Sequence, residues 1–281
     1  FVNELLNFLS MCLIFIYLNS VCKWFRRIAY DEEFWTTIDL TSKSYSNRIL
    51  LKFFYRFPRN CTEILKISGG LLHGSANRRV PFTDNLNSVI QKSYPNLCYL
   101  YLSQYDFHAE QTHIHNINYL PSNLDGLYLI KCEMLATNIS GTHSFLHIPM
   151  NIINNLSLKL KFQQLKILSF ENSSCLKAES FNHLFDLCPN LIELNLNGCF
   201  RIMPTRTFTN ILLSYNNTLR RLYLSETQIS DDTIHSICRK LKRLNILNIQ
   251  HCKQITINIV ENLLTLKQLE KLIANDHILK L

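Results

Sequence analysis

Glycine is scarce in this chain, six in 281 residues, too few for the Gly-rich loops with which many enzymes cradle phosphates. None of G-x-x-x-x-G-K, G-x-S-x-G or H-E-x-x-H occurs, which removes the phosphate loop, the hydrolase nucleophile elbow and the zinc-protease helix. No C-x-x-C occurs either. The ten cysteines stand singly, at positions 12, 22, 61, 98, 132, 175, 188, 199, 238 and 252. That spacing argues against a zinc ribbon or a redox pair and for apolar thiols in a reducing compartment. Apolar runs of about 20 residues, the length of a membrane span, are also missing. The longest, Leu5 to Leu18, has the length of a signal-peptide core, but no basic residue precedes it and no small-x-small cleavage site is obvious. Asn-x-Ser/Thr triplets at Asn60, Asn138, Asn155, Asn172 and Asn216 are no more than this composition gives by chance. The expectation is a chain of the cytoplasm, the nucleus or both, with no membrane partner.

Charged residues make up only 18%, against 47% hydrophobic, so the chain can bury a large core and is not disordered. The net charge of +8 permits acidic partners, but the basic residues are scattered and no nucleic-acid partner is expected. The informative feature is a repeat, L-x-x-L-x-L-x-x-C/N. It reads Leu97-Leu100-Leu102, Leu124-Leu127-Leu129 with Cys132, Leu165-Leu168-Phe170, and Leu191-Leu194-Leu196 with Cys199. It continues as Leu219-Leu222-Leu224, Leu244-Leu247-Ile249 with Cys252, and Leu269-Leu272-Ala274. Thr62-Leu65-Ile67 is a weaker first copy. From Leu165 the steps are 26, 28, 25 and 25 residues, whereas earlier steps of 35, 27 and 41 imply insertions.

The fourth and sixth positions alternate, so they point to one face of a short strand. After each strand the spacing turns helical. Ser230 is placed as an N-cap, Asp231 and Asp232 favour the positive end of the helix, and Ile234, Ile237, Cys238 and Leu241 form a stripe. Pro95-Asn96-Leu97 and Pro189-Asn190-Leu191 stop one helix and lead into the next strand. One strand–helix unit cannot bury its own apolar face, so neighbours must stack. The expected fold is α/β, with residues 61–281 forming about eight repeats, residues 1–40 a small helical module and residues 41–60 a connecting helix or linker. This repeat portion resembles the cysteine-containing class of leucine-rich repeats, on Cys188-Pro189-Asn190-Leu191 and Asn197-Gly198-Cys199. The resemblance implies a horseshoe solenoid, with parallel strands inside and helices outside.

Residues 18–40 (LNSVCKWFRRIAYDEEFWTTIDL) resemble the second half of an F-box, on Val21, Cys22, Lys23, Arg26, Arg27, Asp31, Trp35, Asp39 and Leu40, with Glu4-Leu5-Leu6 like the start of its first helix. Three departures stand out. Val2 replaces the expected proline, Phe25 occupies the first Trp position, and the stretch from Leu6 to Leu18 is about three residues short. By resemblance the chain is identified as an F-box/leucine-rich-repeat protein. That implies a non-enzymatic substrate-recognition subunit of an SCF (Skp-cullin-F-box) ubiquitin ligase, holding a protein target for ubiquitination and proteasomal degradation. The Skp adaptor, and through it the cullin-RING ligase, would then be met by Leu5, Leu6, Leu18, Val21, Cys22 and Phe25. The alternative is that those residues cap the first repeat, leaving a repeat scaffold with a non-functional F-box. Trp35 reads as a plug between module and repeats.

The residues between the strand leucines face the concave side, where a protein target would sit. They include Tyr99, Tyr101, Tyr128, Glu171, Glu193, Asn195, Arg221, Tyr223 and Asn248. Tyr101, Tyr128 and Tyr223 occupy one slot of three repeats. Tyrosines beside an arginine suit protein-binding hot spots, and tyrosine also simply suits strands. Glu171 and Glu193 flank Arg221, so the strip is mixed in charge. No cofactor and no metal is expected. His143 and His147 stand at i,i+4 but lack an acidic companion, and His108, His113 and His115 fall in a polar loop. The run Arg239-Lys240-Leu241-Lys242-Arg243 lies at a helix end and reads as a solvated turn.

Overall fold

The computed structural model describes residue 23 and residues 31–57, 59–71, 78–107, 120–133, 162–173, 188–200, 206–215 and 217–279. Each L-x-x-L-x-L copy forms a strand, and every strand pairs in parallel with the next. In chain order they are β1 (Thr37–Leu40), β2 (Ile64–Ser68), β4 (Tyr99–Ser103), β6 (Gly126–Ile130) and β7 (Ile167–Ser169), then β8 (Glu193–Asn195), β9 (Arg221–Tyr223), β10 (Ile246–Asn248) and β11 (Lys271–Ile273). They make one nine-stranded sheet in that order. Two short strands, β3 (Val80–Pro81) and β5 (Tyr105–Asp106), pair separately. Between strands the chain makes helices α1 (Asn47–Arg56), α2 (Asp84–Ser93), α3 (Arg206–Ser214), α4 (Asp231–Lys240) and α5 (Val260–Leu263), with α6 (Asp276–Leu279) after the last strand.

The frame leucines meet in one continuous core. Leu65, Leu100, Leu129, Leu168, Leu194, Leu222 and Leu247 are all fully buried. The helices contribute residues three and four apart, such as Leu50, Phe53 and Phe54 in α1 and Leu86, Val89 and Ile90 in α2. The side chain of Thr83 caps α2 by accepting from Leu86 N–H. Ser230 takes the N-cap place of α4 as expected, with extended backbone, but its side chain makes no capping bond. Ile234, Ile237, Cys238 and Leu241 are buried, as their spacing predicts. The basic run at the end of α4 is a turn in which Arg243 donates to Asn217 O and Lys242 to Thr265 Oγ1.

The solenoid starts one repeat earlier than the leucine spacing suggests. Trp35-Ile38-Leu40 has the repeat's own 3-then-2 spacing with Trp in the first place, and Ile38 and Leu40 pair in register with Leu65 and Ile67. Thr37–Leu40, at the end of the stretch expected as a helical module, therefore belongs to the sheet, and Asn47–Arg56 is helical within the segment expected as a connecting helix or linker. Trp35 is 2% exposed and plugs the front of the core. Its ring stacks on Phe57 at 6.1 Å, lies 6.4 Å from Phe53, and carries the Arg59 guanidinium 5.0 Å above it. Thr62, in the same place one repeat on, donates its hydroxyl to Trp35 O at 2.8 Å. This is a leucine-rich-repeat solenoid of the α/β class.

Candidate functional site

Because side chains alternate along a strand, burying the leucines turns the residues between them onto the opposite face of the sheet. The strand register sets these in rows. One row runs Asp39, Lys66, Tyr101, Tyr128, Ser169, Asn195, Tyr223, Asn248, Ile273. The parallel row two residues earlier runs Thr37, Ile64, Tyr99, Gly126, Ile167, Glu193, Arg221, Ile246, Lys271.

The first row begins as a connected stack. Lys66 Nζ lies 3.6 Å from Asp39 Oδ2 and 5.2 Å from the centre of the Tyr101 ring. On its other side Tyr101 stacks on Tyr128, with ring centres 3.9 Å apart and planes 7° from parallel. Gly126 makes room for this. A Cβ at that position would come within 2.7 Å of Tyr99 Cδ1 and 3.0 Å of Tyr128 Cε2, so the absent side chain lets the tyrosine rings fold over the strand. Burial, then the hydrogen bond with the Tyr101 side chain, pushes the Tyr128 hydroxyl well above its ordinary value. It stays a neutral donor.

The second charged group is Arg221, whose Nε donates to Glu193 Oε2 at 2.6 Å. Both side chains keep solvent contact, so the pair contributes at most about 1 kcal/mol. Tyr223 is raised by burial and then by Glu193, with Arg221 opposing. Asn195 Nδ2 donates to Glu171 Oε2 at 3.4 Å. Asp39 with Lys66 and Glu193 with Arg221 thus form two acid–base pairs, and the strip is mixed in charge.

Most of the expected target-facing residues are gathered on this face. Tyr99, Tyr101, Tyr128, Glu193, Asn195, Arg221 and Tyr223 are half-buried members of the two rows. Glu171 lies just beyond the end of β7 and reaches the strip through Asn195. Asn248 stands in the same row beside Tyr223 but is only 9% exposed. Its Oδ1 accepts the Gln250 N–H at 3.0 Å, as Asn195 Oδ1 accepts the Asn197 N–H. The three tyrosines do share one slot, but Ser169 and Asn195 separate Tyr223 from the stacked pair. Asp39, Lys66 and Gly126 were not expected on this face from sequence, Asp39 entering only through the F-box resemblance. Counting four residues on from Thr62 or Trp35 finds the first two. Leu5, Leu6, Leu18, Val21, Cys22 and Phe25 lie outside the described residues, as do His108, His113, His115, His143 and His147. Among the described residues no three His, Cys, Asp or Glu side chains are grouped to hold a metal, and no helix is long and apolar enough to cross a membrane.

No protein-family model matches the sequence, nor does any curated protein. Among solved structures, the chain is similar to a leucine-rich-repeat protein of Leptospira interrogans, at 19% identity and a TM-score of 0.46 over 87% of this chain and 51% of that one. InlP of Listeria monocytogenes follows at 16% and 0.44, over 86% and 57%. The mouse RP105/MD-1 complex is 14% identical at 0.41, over 84% and 37%. The chain spans about half the length of the first two. The fold rests on the chain's own strand register and not on these likenesses. The chain is a leucine-rich-repeat solenoid whose open sheet face carries a stacked tyrosine pair among mutually compensated charges.

Proposed function

We propose that this chain is a non-catalytic protein-recognition scaffold, and that it serves as the substrate-recognition subunit of an SCF-type ubiquitin ligase in the cytoplasm or nucleus. The observation that carries the recognition role is the Lys66–Tyr101–Tyr128 stack on the open face of the sheet. Tyrosines offer large contact area, and rings already held by one another lose little further freedom on binding. The compensated charges around them orient a partner without attracting every acidic surface. The ligase role is supported by the F-box resemblance of residues 18–40. A receptor of this kind needs no catalytic side chain. It raises the effective concentration of target lysines at the ubiquitin-loaded enzyme.

The test is a paired one. Replacing Tyr101, Tyr128 and Tyr223 together by Ala should reduce target capture at least tenfold in a pull-down and leave Skp and cullin association intact. Val21→Asp should do the reverse. Unchanged target capture by the triple variant would remove the sheet face as the binding surface. A chain that never co-purifies with Skp and cullin would leave the scaffold reading alone. One observation favours that second reading. Trp35, Asp39 and Leu40, which carry part of the F-box resemblance, are used in the first repeat as a core plug, an ion-pair partner of Lys66 and an inward strand residue.

A further inference from the structure

Between β1 and β2, helix α1 presents an outer face unlike those of α2 and α4. Leu50, Phe53 and Phe54 are buried in the core, which turns Arg48, Lys52 and Arg56 outward. Spaced four residues apart, these three make a line of cations about 12 Å long. All are exposed, and none is ion-paired among the described residues. At 3.6 residues per turn they fill the middle of the exposed arc. Ile49 and Tyr55, 50% and 66% exposed, stand at its two margins. The face works against the helix that carries it. Like charges at i,i+4 repel, and Arg48 with Lys52 and Lys52 with Arg56 are two such pairs. Arg48 also stands in the first turn, where the helix dipole disfavours a cation, and no acid stands there to offset it. In α2 and α4 the order is the reverse: each opens on Asp, at Asp84 or at Asp231 and Asp232, and ends on Lys or Arg. The charges of α1 are therefore not arranged for a helix that faces water alone. They suit an acidic partner.

We propose that the outer face of α1 docks an acidic amphipathic helix of a partner protein. Carboxylates at i, i+4 and i+8 of that helix would meet the line of cations, and apolar side chains beside them would cover Ile49 and Tyr55. A lipid surface calls for the opposite order, with apolar side chains at the centre of the arc and cations at its margins. A phosphate backbone has no use for the apolar margins. Because the buried side of α1 joins the same core as the strand leucines, this surface lies across the core from the tyrosine strip. It does not depend on that strip.

The experiment measures binding of the full chain to a labelled helical peptide with Glu at i, i+4 and i+8 and Leu on both flanks, by fluorescence anisotropy. The expected result is saturable binding that weakens as salt rises and is lost when the three Glu are replaced by Gln. Lys52→Glu should weaken binding at least tenfold. Without peptide it should raise the melting temperature, because an acid between Arg48 and Arg56 turns two repulsions into attractions. Lys240→Glu makes the same change of charge at the exposed end of α4 and should leave binding unaltered. Ile49→Ser combined with Tyr55→Ser should weaken it at least threefold. Absence of saturable binding, or an equal loss in the Lys240 variant, overturns the proposal. Tighter binding to phosphatidylcholine–phosphatidylserine vesicles or to duplex DNA, lost on Lys52→Glu, overturns it as well and assigns the face to lipid or nucleic acid.

Discussion

In five consecutive repeats the chain closes the turn after the strand with a residue that is small and either thiol or hydroxyl: Cys132, Ser173, Cys199, Thr227 and Cys252. Four of these reach back to a carbonyl of the preceding repeat. Cys132 Sγ donates to Leu102 O at 3.3 Å, Ser173 Oγ to Leu129 O at 2.8 Å, Cys199 Sγ to Phe170 O at 3.0 Å and Cys252 Sγ to Leu224 O at 3.1 Å. Ser173 Oγ also accepts the Cys132 N–H at 3.1 Å, so Ser173→Ala strands two buried backbone groups. That substitution should cost about 1–3 kcal/mol, read as a lower urea midpoint. The thiols carry a pH signature. Burial pushes Cys132 and Cys199 from 9.0 up to about 12. The unfolded chain therefore releases these protons near pH 9 while the folded chain holds them. Stability contributed by the neutral thiols is complete below pH 9 and falls as pH rises toward 12, by up to about 1.4 kcal/mol per pH unit for each group. Urea melts between pH 8 and 11 should show this decline, and replacing both cysteines by Ala should make it shallower, with the remainder coming from the other raised thiols, Cys188, Cys238 and Cys252. An equally steep decline in the double variant would place the effect elsewhere.

The elements differ in what defines them. A strand here is short and is held by its neighbours, so β1 depends on what packs beside it. Among the described residues Trp35 packs there, with Phe53 and Phe57 against its ring. Trp35→Ala should cost about 3–5 kcal/mol and should first loosen Thr37–Leu40, seen as faster amide exchange there than in β10. The same element shows where sequence reading stops. Leucine at positions one, four and six marks a strand, and eight strands were legible from it. The ninth was not, because Trp stands for the first leucine and the resemblance of residues 18–40 assigned it elsewhere. Pro-Asn-Leu was legible as a helix stop, but the work of the Asn was not. Asn96, Asn123 and Asn190 each donate to a carbonyl of the preceding repeat, at Asn60, Pro95 and Gln163. Such a bond depends on how two repeats are offset, which no single repeat encodes. The site was legible to the same depth. Alternation placed the tyrosines on one face, yet the burial of Asn248 depends on neighbours one strand away.

At the scale of the whole array, each strand of the nine-stranded sheet pairs only with the strand of the repeat before and the repeat after it, so stability is a sum over neighbours. Position along the array then decides what a substitution does. Leu222 is fully buried in β9, between β8 and β10, and Leu272 in the terminal β11 is only partly covered. Leu222→Ala should cost about 2–5 kcal/mol, with Leu272→Ala costing less than half as much. The distribution of the loss is more telling than its size. Amide protection in Leu222→Ala should fall in β8, β9 and β10, where contacts with the altered repeat are made, while Ile64–Ser68 in β2 keeps its protection. In Leu272→Ala only β10 and β11 should loosen. Hydrogen exchange resolved by strand measures both. If Leu222→Ala instead lowered protection equally from β1 to β11, the nine strands would be one cooperative unit. The stacked tyrosines at β4 and β6 and the Glu193–Arg221 pair at β8 and β9 would then share a single stability, whereas with local unfolding Leu222→Ala loosens the second and leaves the first in place.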